Sequence, residues 1–330
     1  MSRVNIPRTW GVGIIILFAC FTGLLIPFLL ANVHLHELVQ PAAAGSATQP
    51  RVVLIGQELD NPYWRKVEQG AAEAANQQHI TLEYTGPLRI NPEEQVSLLA
   101  KAVASRPAAI MVQGIHQPEQ KAWIDKAAAL GIPVITLDAD EPGSRRLAYI
   151  GTDNYEAGRK MGQYIAKYSS GRGSIGVMVS NFQSYSQQLR LKGFRSVIAE
   201  YPHMRILEVT SSENSRLQAA QRSEELLKKD PHPESLVGFS SLDGLGILEA
   251  AERTGSSAGI FAFDDLDETL QAVRENRIDL TLIQQPYRMG YDGVTMIRDY
   301  LSGKASPGKK YTEISVMASP SFMKAEGKTP

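Results

Sequence analysis

From residue 51 onward, short runs of apolar and β-branched residues alternate with stretches of helix length. The runs are 51–56, 80–85, 108–113, 133–137, 147–151, 174–179, 205–209, 235–239, 259–263 and 280–284. Stretches such as "VEQGAAEAANQQ" and "PEEQVSLLAKAVASR" lie between most of them. The second stretch has Pro92 in its first turn with acids beside it, which predicts a helix start. Strands joined by helix-length crossovers must pair in parallel, with helices covering the sheet faces. Too many strands are predicted for one comfortable sheet. About half precede residue 152, so the pattern predicts two similar α/β lobes. Open parallel sheets place ligands at the carboxyl ends of their strands, and two facing lobes would enclose a cleft lined by strand-to-helix loops.

The N-terminus departs from this alternation. "WGVGIIILFACFTGLLIPFLLANV", residues 10–33, holds no charged residue. About 24 residues at 1.5 Å rise span roughly 36 Å, enough to cross a hydrocarbon core with some tilt. Arg3 and Arg8 precede this run. The excess of positive charge keeps residues 1–9 in the cytoplasm and exports the rest. The sequence therefore predicts a single-pass cell-membrane protein, with its bulk on the extracytoplasmic side. "QPAAAGSATQP", residues 40–50, reads as the end of a flexible tether over 34–50. Two processing alternatives stay open. "LFAC" would make Cys20 a lipidated residue, but the apolar run continues past it to Leu30; a signal peptide cut near "AAAGSA" is the other.

Composition narrows the function. Net charge is −1, so no global field attracts nucleic acid. The single cysteine excludes a disulfide framework and a multi-cysteine metal site. "GRGSIG", residues 171–176, satisfies G-x-G-x-x-G but precedes its strand, where it cannot cradle a phosphate, and it reads as a loop. No Walker sequence or zincin motif is present, and the histidines lack metal-ligand spacing. Neither catalysis nor a cofactor or metal is expected.

"DNPYWRKVEQGAAEAA" sets two large aromatics at a strand end where a helix begins. They must fill a core or face something flat. This stretch and four others occur in a telling order: "GIPVITLDAD", "YIGTDNYEAGRKMGQYIA", "RLKGFRSVI" and "FAFDDLDETLQAVRENRIDLTLIQQPYRMG". Together they make residues 51–300 resemble the ribose-type periplasmic binding proteins, the type 1 solute-binding family that serves sugar ABC transporters. The resemblance implies two Rossmann-like lobes joined by a three-crossing hinge, preceded here by one N-terminal transmembrane helix. Residues 51–152 with 286–312 would form the N-terminal lobe, and 153–285 with 313–330 the C-terminal lobe.

Carried over position by position, the resemblance implies a set of ligand contacts. Asn61 would bond sugar hydroxyls, and Tyr63 and Trp64 would contact the ring; a sugar has an apolar C–H face that suits a flat aromatic. The alternative for Trp64 is lobe packing. Asp138 would accept two hydroxyl hydrogens, a charge-assisted interaction; an N-cap or turn aspartate is the alternative. Arg190 would grip adjacent hydroxyls with its fork, or else be a solvated helix charge. Asp264 and Gln284 fall at contact positions too, with a turn acid and a hinge amide as alternatives. "FSSLDGLG" offers Asp243, at an uncertain register. Ala139 stands where ribose binders carry Arg, and Asn214 where some place an aromatic, which argues for a different or larger sugar.

The expected function is thus extracytoplasmic binding of a small sugar or polyol with hinge closure. The membrane span at 10–33 favours signalling to a sensor histidine kinase, a partner the resemblance allows. Delivery to an ABC transporter permease is the competing use. A receptor for a furanosyl autoinducer-type signal is a further alternative. The same fold occurs in lactose-repressor-like factors, but the apolar span occupies the place of their DNA-binding helices.

Overall fold

The computed structural model describes residues 49–305 and 308–325. The expected cytoplasmic tail, the span at 10–33, Cys20 and most of the tether lie outside the described residues. No helix among the described residues is long and apolar enough to cross a membrane.

In chain order the first half carries β1 (Arg51–Ile55), α1 (Pro62–Gln77), β2 (Thr81–Thr85), α2 (Pro92–Ala104), β3 (Ala109–Gln113), α3 (Pro118–Ala129), β4 (Val134–Leu137) and β5 (Ala148–Thr152). There follow α4 (Asn154–Tyr168), β6 (Arg172–Val179), α5 (Tyr185–Ile198), β7 (His203–Ser211), α6 (Arg216–Lys229), β8 (Ser235–Gly238), α7 (Asp243–Thr254), β9 (Gly259–Phe263), α8 (Asp267–Arg274) and β10 (Leu280–Ile283). The chain ends with α9 (Pro286–Leu301), β11 (Lys309–Thr312), β12 (Ser315–Ala318) and α10 (Pro320–Ala325).

The strands form two six-stranded sheets, ordered β11-β5-β4-β3-β1-β2 and β12-β10-β9-β8-β6-β7. The first sheet is parallel throughout. In the second, only β12 runs antiparallel to its neighbour. Each sheet has an apolar layer on both faces. In the first lobe, α1 and α9 bury Trp64, Val67, Met289 and Ile297 on one face, and α2 and α3 bury Leu99, Val103 and Ile124 on the other. In the second, α4 and α5 bury Met161 and Phe194 against Phe239 and Phe263, while α6, α7 and α8 cover the far face. Burial on both faces is why these strands read as unbroken apolar runs instead of alternating ones.

The two orders match position for position. Strand β4 in one lobe corresponds to β9 in the other, and β5 to β10. The chain passes between lobes after β5, after β10 and between β11 and β12. Two sequence expectations need correcting. "GRGSIG" is not a loop: β6 starts at Arg172, and Gly173 at φ +104° joins the strand with the backbone freedom that a side chain would deny. Strands β11 and β12 were absent from the apolar pattern because both are edges with mostly exposed or half-buried residues.

Candidate ligand-binding site

The carboxyl ends of both sheets meet across a cleft whose lining includes Asn61, Tyr63, Trp64, Asp138, Arg190, Asp264 and Gln284. These are seven of the eight residues singled out in the sequence. The eighth, Asp243, does not line it. It is fully buried at the start of α7, accepting from Ser212 Oγ at 2.7 Å and from the Ser240 amide at 2.9 Å. Burial raises the pKa of its carboxyl, and the bonds from Ser212 and Ser240 oppose that shift. Asp243 thus anchors the loop that carries Ser240 to the cleft.

Asp138 and Asp264 end the corresponding strands β4 and β9, and both take left-handed backbone, at φ +62° and +69°. Non-glycine residues rarely do so, although Asp is among the more tolerant, and such strain concentrates at functional sites. Each is held alike: Asp138 N donates to Ile150 O at 3.0 Å, and Asp264 N to Leu282 O at 2.7 Å. Both residues line the cleft at the ends of their strands.

The two carboxylates are dressed differently. Asp138 accepts from Tyr63 Oη at 2.7 Å and from Gln113 Nε2 at 2.9 Å. Asp264 accepts from Gln284 Nε2 at 2.8 Å through Oδ1, and its Oδ2 accepts no hydrogen bond among the described residues. Burial pushes the Asp264 carboxyl up to about 6, against the pull of Arg190 and Gln284. Burial, with Asp138 and Asp264 nearby, raises the Tyr63 phenol well above its ordinary value, so it stays a neutral donor.

Arg190 is the hub. It is 3% exposed on α5. Nε donates to Asn154 Oδ1 at 2.8 Å, one terminal nitrogen to Phe239 O at 2.6 Å, and the other to Gln284 Oε1 at 2.6 Å. Its plane lies over the Phe263 ring, 4.5 Å from the centroid. A guanidinium has five N–H groups; these three bonds leave two without a protein acceptor. The solvated-charge alternative is therefore excluded. Gln284 also accepts from Thr152 Oγ1 at 2.8 Å, so the hub is bonded directly to two of the lobe connections.

At the head of α1, Asn61 caps the helix by accepting from Tyr63 N at 3.0 Å, and Nδ2 donates to Glu58. Trp64 is 2% exposed and belongs mainly to the core, although it also lines the cleft; packing is its larger role. Tyr63, half-buried, is the aromatic that presents a polar atom.

Other lining residues escaped the sequence reading. Gln113 ends β3, 5% exposed, and its Oε1 has no partner. Ser240 Oγ is likewise buried and unpaired. Gln187 donates to Phe239 O at 3.2 Å beside Arg190. A polar residue closing a wholly buried strand, as in "AIMVQ", is the signal that would have found Gln113. Unpaired buried polar atoms are costly and need explaining. Gln113 Oε1 and Ser240 Oγ are such atoms, and both residues line, with Asp264 and Arg190, one cavity of about 70 Å³. One water needs roughly 10–15 Å³ by this measure, so the space suits a compact polar molecule.

This is the arrangement of a two-lobed binding protein. A family model for the periplasmic binding protein domain matches residues 52–305, and the chain belongs to that family. It is 21% identical to the ribose import binding protein RbsB of Escherichia coli, over 83% of this chain and 93% of that protein. GanP, a glucose-galactose binding protein from Geobacillus stearothermophilus, superposes with a TM-score of 0.79 at 36% identity, covering 82% of this chain and 97% of GanP. XylFII in the XylFII–LytSN complex gives a TM-score of 0.77 at 30% identity, over 82% of this chain and 98% of that one.

Proposed function

We propose that the chain is an extracytoplasmic receptor that clamps a neutral sugar or related polyol between its lobes, without chemical change. The observation that carries this is that Asp264, whose Oδ1 alone is engaged, and Arg190, with two N–H groups left over, line one small cavity together. A polyol, in which every hydroxyl both donates and accepts, can satisfy Asp264 Oδ2 and the two free Arg190 N–H groups together. Hydrogen bonds to charged groups contribute about 1.5–3 kcal/mol each, and leaving such a buried group unpaired costs more. A ligand missing one matching hydroxyl is therefore rejected strongly. The relatives named for ribose import and for glucose and galactose binding support the same chemistry.

The site roles follow the geometry. Asp138, Arg190 and Asp264 bind hydroxyls, Tyr63 covers the ring, Asn61 offers its remaining N–H, and Gln284 passes ligand contact to the hinge. Residues 10–33 would hold the receptor at the membrane, raising its effective concentration beside a membrane partner. We favour a sensor histidine kinase as that partner over a permease. Two supports are the apolar span and the likeness to XylFII, which forms a complex with LytSN.

Calorimetric titration of the purified full chain against pentoses, hexoses, inositol, a signalling furanone and amino acids tests the reading. At least one sugar or polyol is expected to bind with a dissociation constant near or below the micromolar level, about −8 kcal/mol. Binding of an amino acid alone would exclude the polyol assignment, and preference for the furanone would turn it into a signal receptor.

A further inference from the structure

Beside the cavity that holds Arg190 lies a second, larger one of about 450 Å³. The two share Gln57, Gln113 and Ser184 as wall, so they are neighbouring compartments of one cleft. The larger space is not a sign that the lobes stand apart. They touch through a Lys66–Asp265 ion pair of 2.8 Å and through His116 stacked on Tyr185, ring centroids 4.6 Å apart and 11° from parallel. His116 and Tyr185 themselves wall the second compartment.

The chemistry of the two spaces differs. The inner one is lined by two aspartates and an arginine, whereas the outer one has no Asp, Glu, Lys or Arg in its lining. Ile90, Pro92 and Ile115 give it apolar surface, and the amides of Gln57, Gln117 and Gln183 make no side-chain hydrogen bond among the described residues. At the shared wall, Gln113 leaves its buried Oε1 unpaired. Apolar patches between unengaged amides suit a group with C–H faces and neutral hydroxyls. A phosphate would find no fixed cation there, and a hydrocarbon would strand the amides.

Resting on the polyol reading of the inner cavity, we propose that the outer compartment is a second sugar subsite and that the favoured ligand is a neutral disaccharide or glycoside. One sugar unit occupies the charged inner space, and the glycosidic link passes Gln113. The second unit lies against Ile90 and Ile115, with its hydroxyls on the amides of Gln117 and Gln183.

The test titrates the full chain with monosaccharides and with disaccharides built on them, for the native protein and for Gln183→Trp. Gln183 is exposed, so the indole fills the outer space without entering a core. The disaccharide that carries the preferred unit is expected to bind at least tenfold tighter than the free unit. Gln183→Trp should remove that advantage and leave monosaccharide affinity within about twofold, a result that also shows the variant is folded. Gln188→Trp, at another exposed wall position, provides the second variant. Monosaccharide binding without any gain for disaccharides would overturn the second subsite and leave the receptor assignment standing. An unchanged advantage in both variants would place the second unit elsewhere and also overturn it. Failure of every sugar to bind would remove the polyol reading and this inference with it.

Discussion

The carboxyl of Asp264 is expected to govern two pH dependences of opposite sign. Its folded pKa, about 6, lies above the ordinary aspartate value of about 3.9. The folded state therefore holds the proton more tightly than the unfolded one, and stability falls as pH rises between these values. A difference of about two units corresponds to roughly 3 kcal/mol. In denaturant titrations at pH 4 and pH 7, Asp264→Asn is expected to flatten this part of the stability difference, and asparagine still tolerates the left-handed turn. Ligand affinity should run the other way. A hydroxyl that donates to the carboxylate favours its ionised form, so affinity should rise from pH 5 to pH 7 and level off above. Affinity independent of pH across that interval would remove the ligand from Asp264. Much of this was visible beforehand, because Asp138, Asp264 and Gln284 each follow a buried apolar strand. Asp243 has the same residue type but opens a helix, and only the fold reveals that its carboxylate is spent on Ser212 and Ser240. Trp64 was ambiguous for a related reason: one ring can serve the core and the cleft wall at once.

Helices α4 and α5 set where Arg190 stands. They cross so closely that a Cβ added at Gly158 would strike the Arg190 carbonyl oxygen, and one at Gly193 would strike that of Tyr155. Glycine is required at this contact because the obstacle is backbone, which cannot rotate away. Gly158→Ala is expected to force the helices apart, costing about 1–3 kcal/mol of stability, as overpacking does. It should also weaken ligand binding by shifting the guanidinium, and thermal melts with titrations would report both. Helices α1 and α9 repeat this contact in the other lobe through Gly70 and Gly290. Of these four helices the sequence pattern singled out only the stretch in α1, and it gave no pairing, since a glycine reads locally as a mere helix weakener. The same limit hid β11 and β12, whose pairing with β5 and β10 is decided by chain geometry, not by apolar content.

Across the whole molecule, the proposed ligand binding would act on lobe geometry through few contacts. The Lys66–Asp265 pair joins the lobes but is 43% and 32% exposed, so its contribution is about 0–1 kcal/mol. Lys66→Met should weaken sugar binding no more than about fivefold, with the loss shrinking further at high salt. The Arg190 hub is another matter, because it links Asn154 and Gln284, buried at two lobe connections, with the Phe239 carbonyl at the end of β8. The measurement that bears most directly on the account is therefore the affinity of Arg190→Met for whichever sugar binds the native protein, at pH 7, with folding checked by circular dichroism. The account expects at least a hundredfold loss in a folded variant, about 2.7 kcal/mol. Native affinity in a folded Arg190→Met would contradict it.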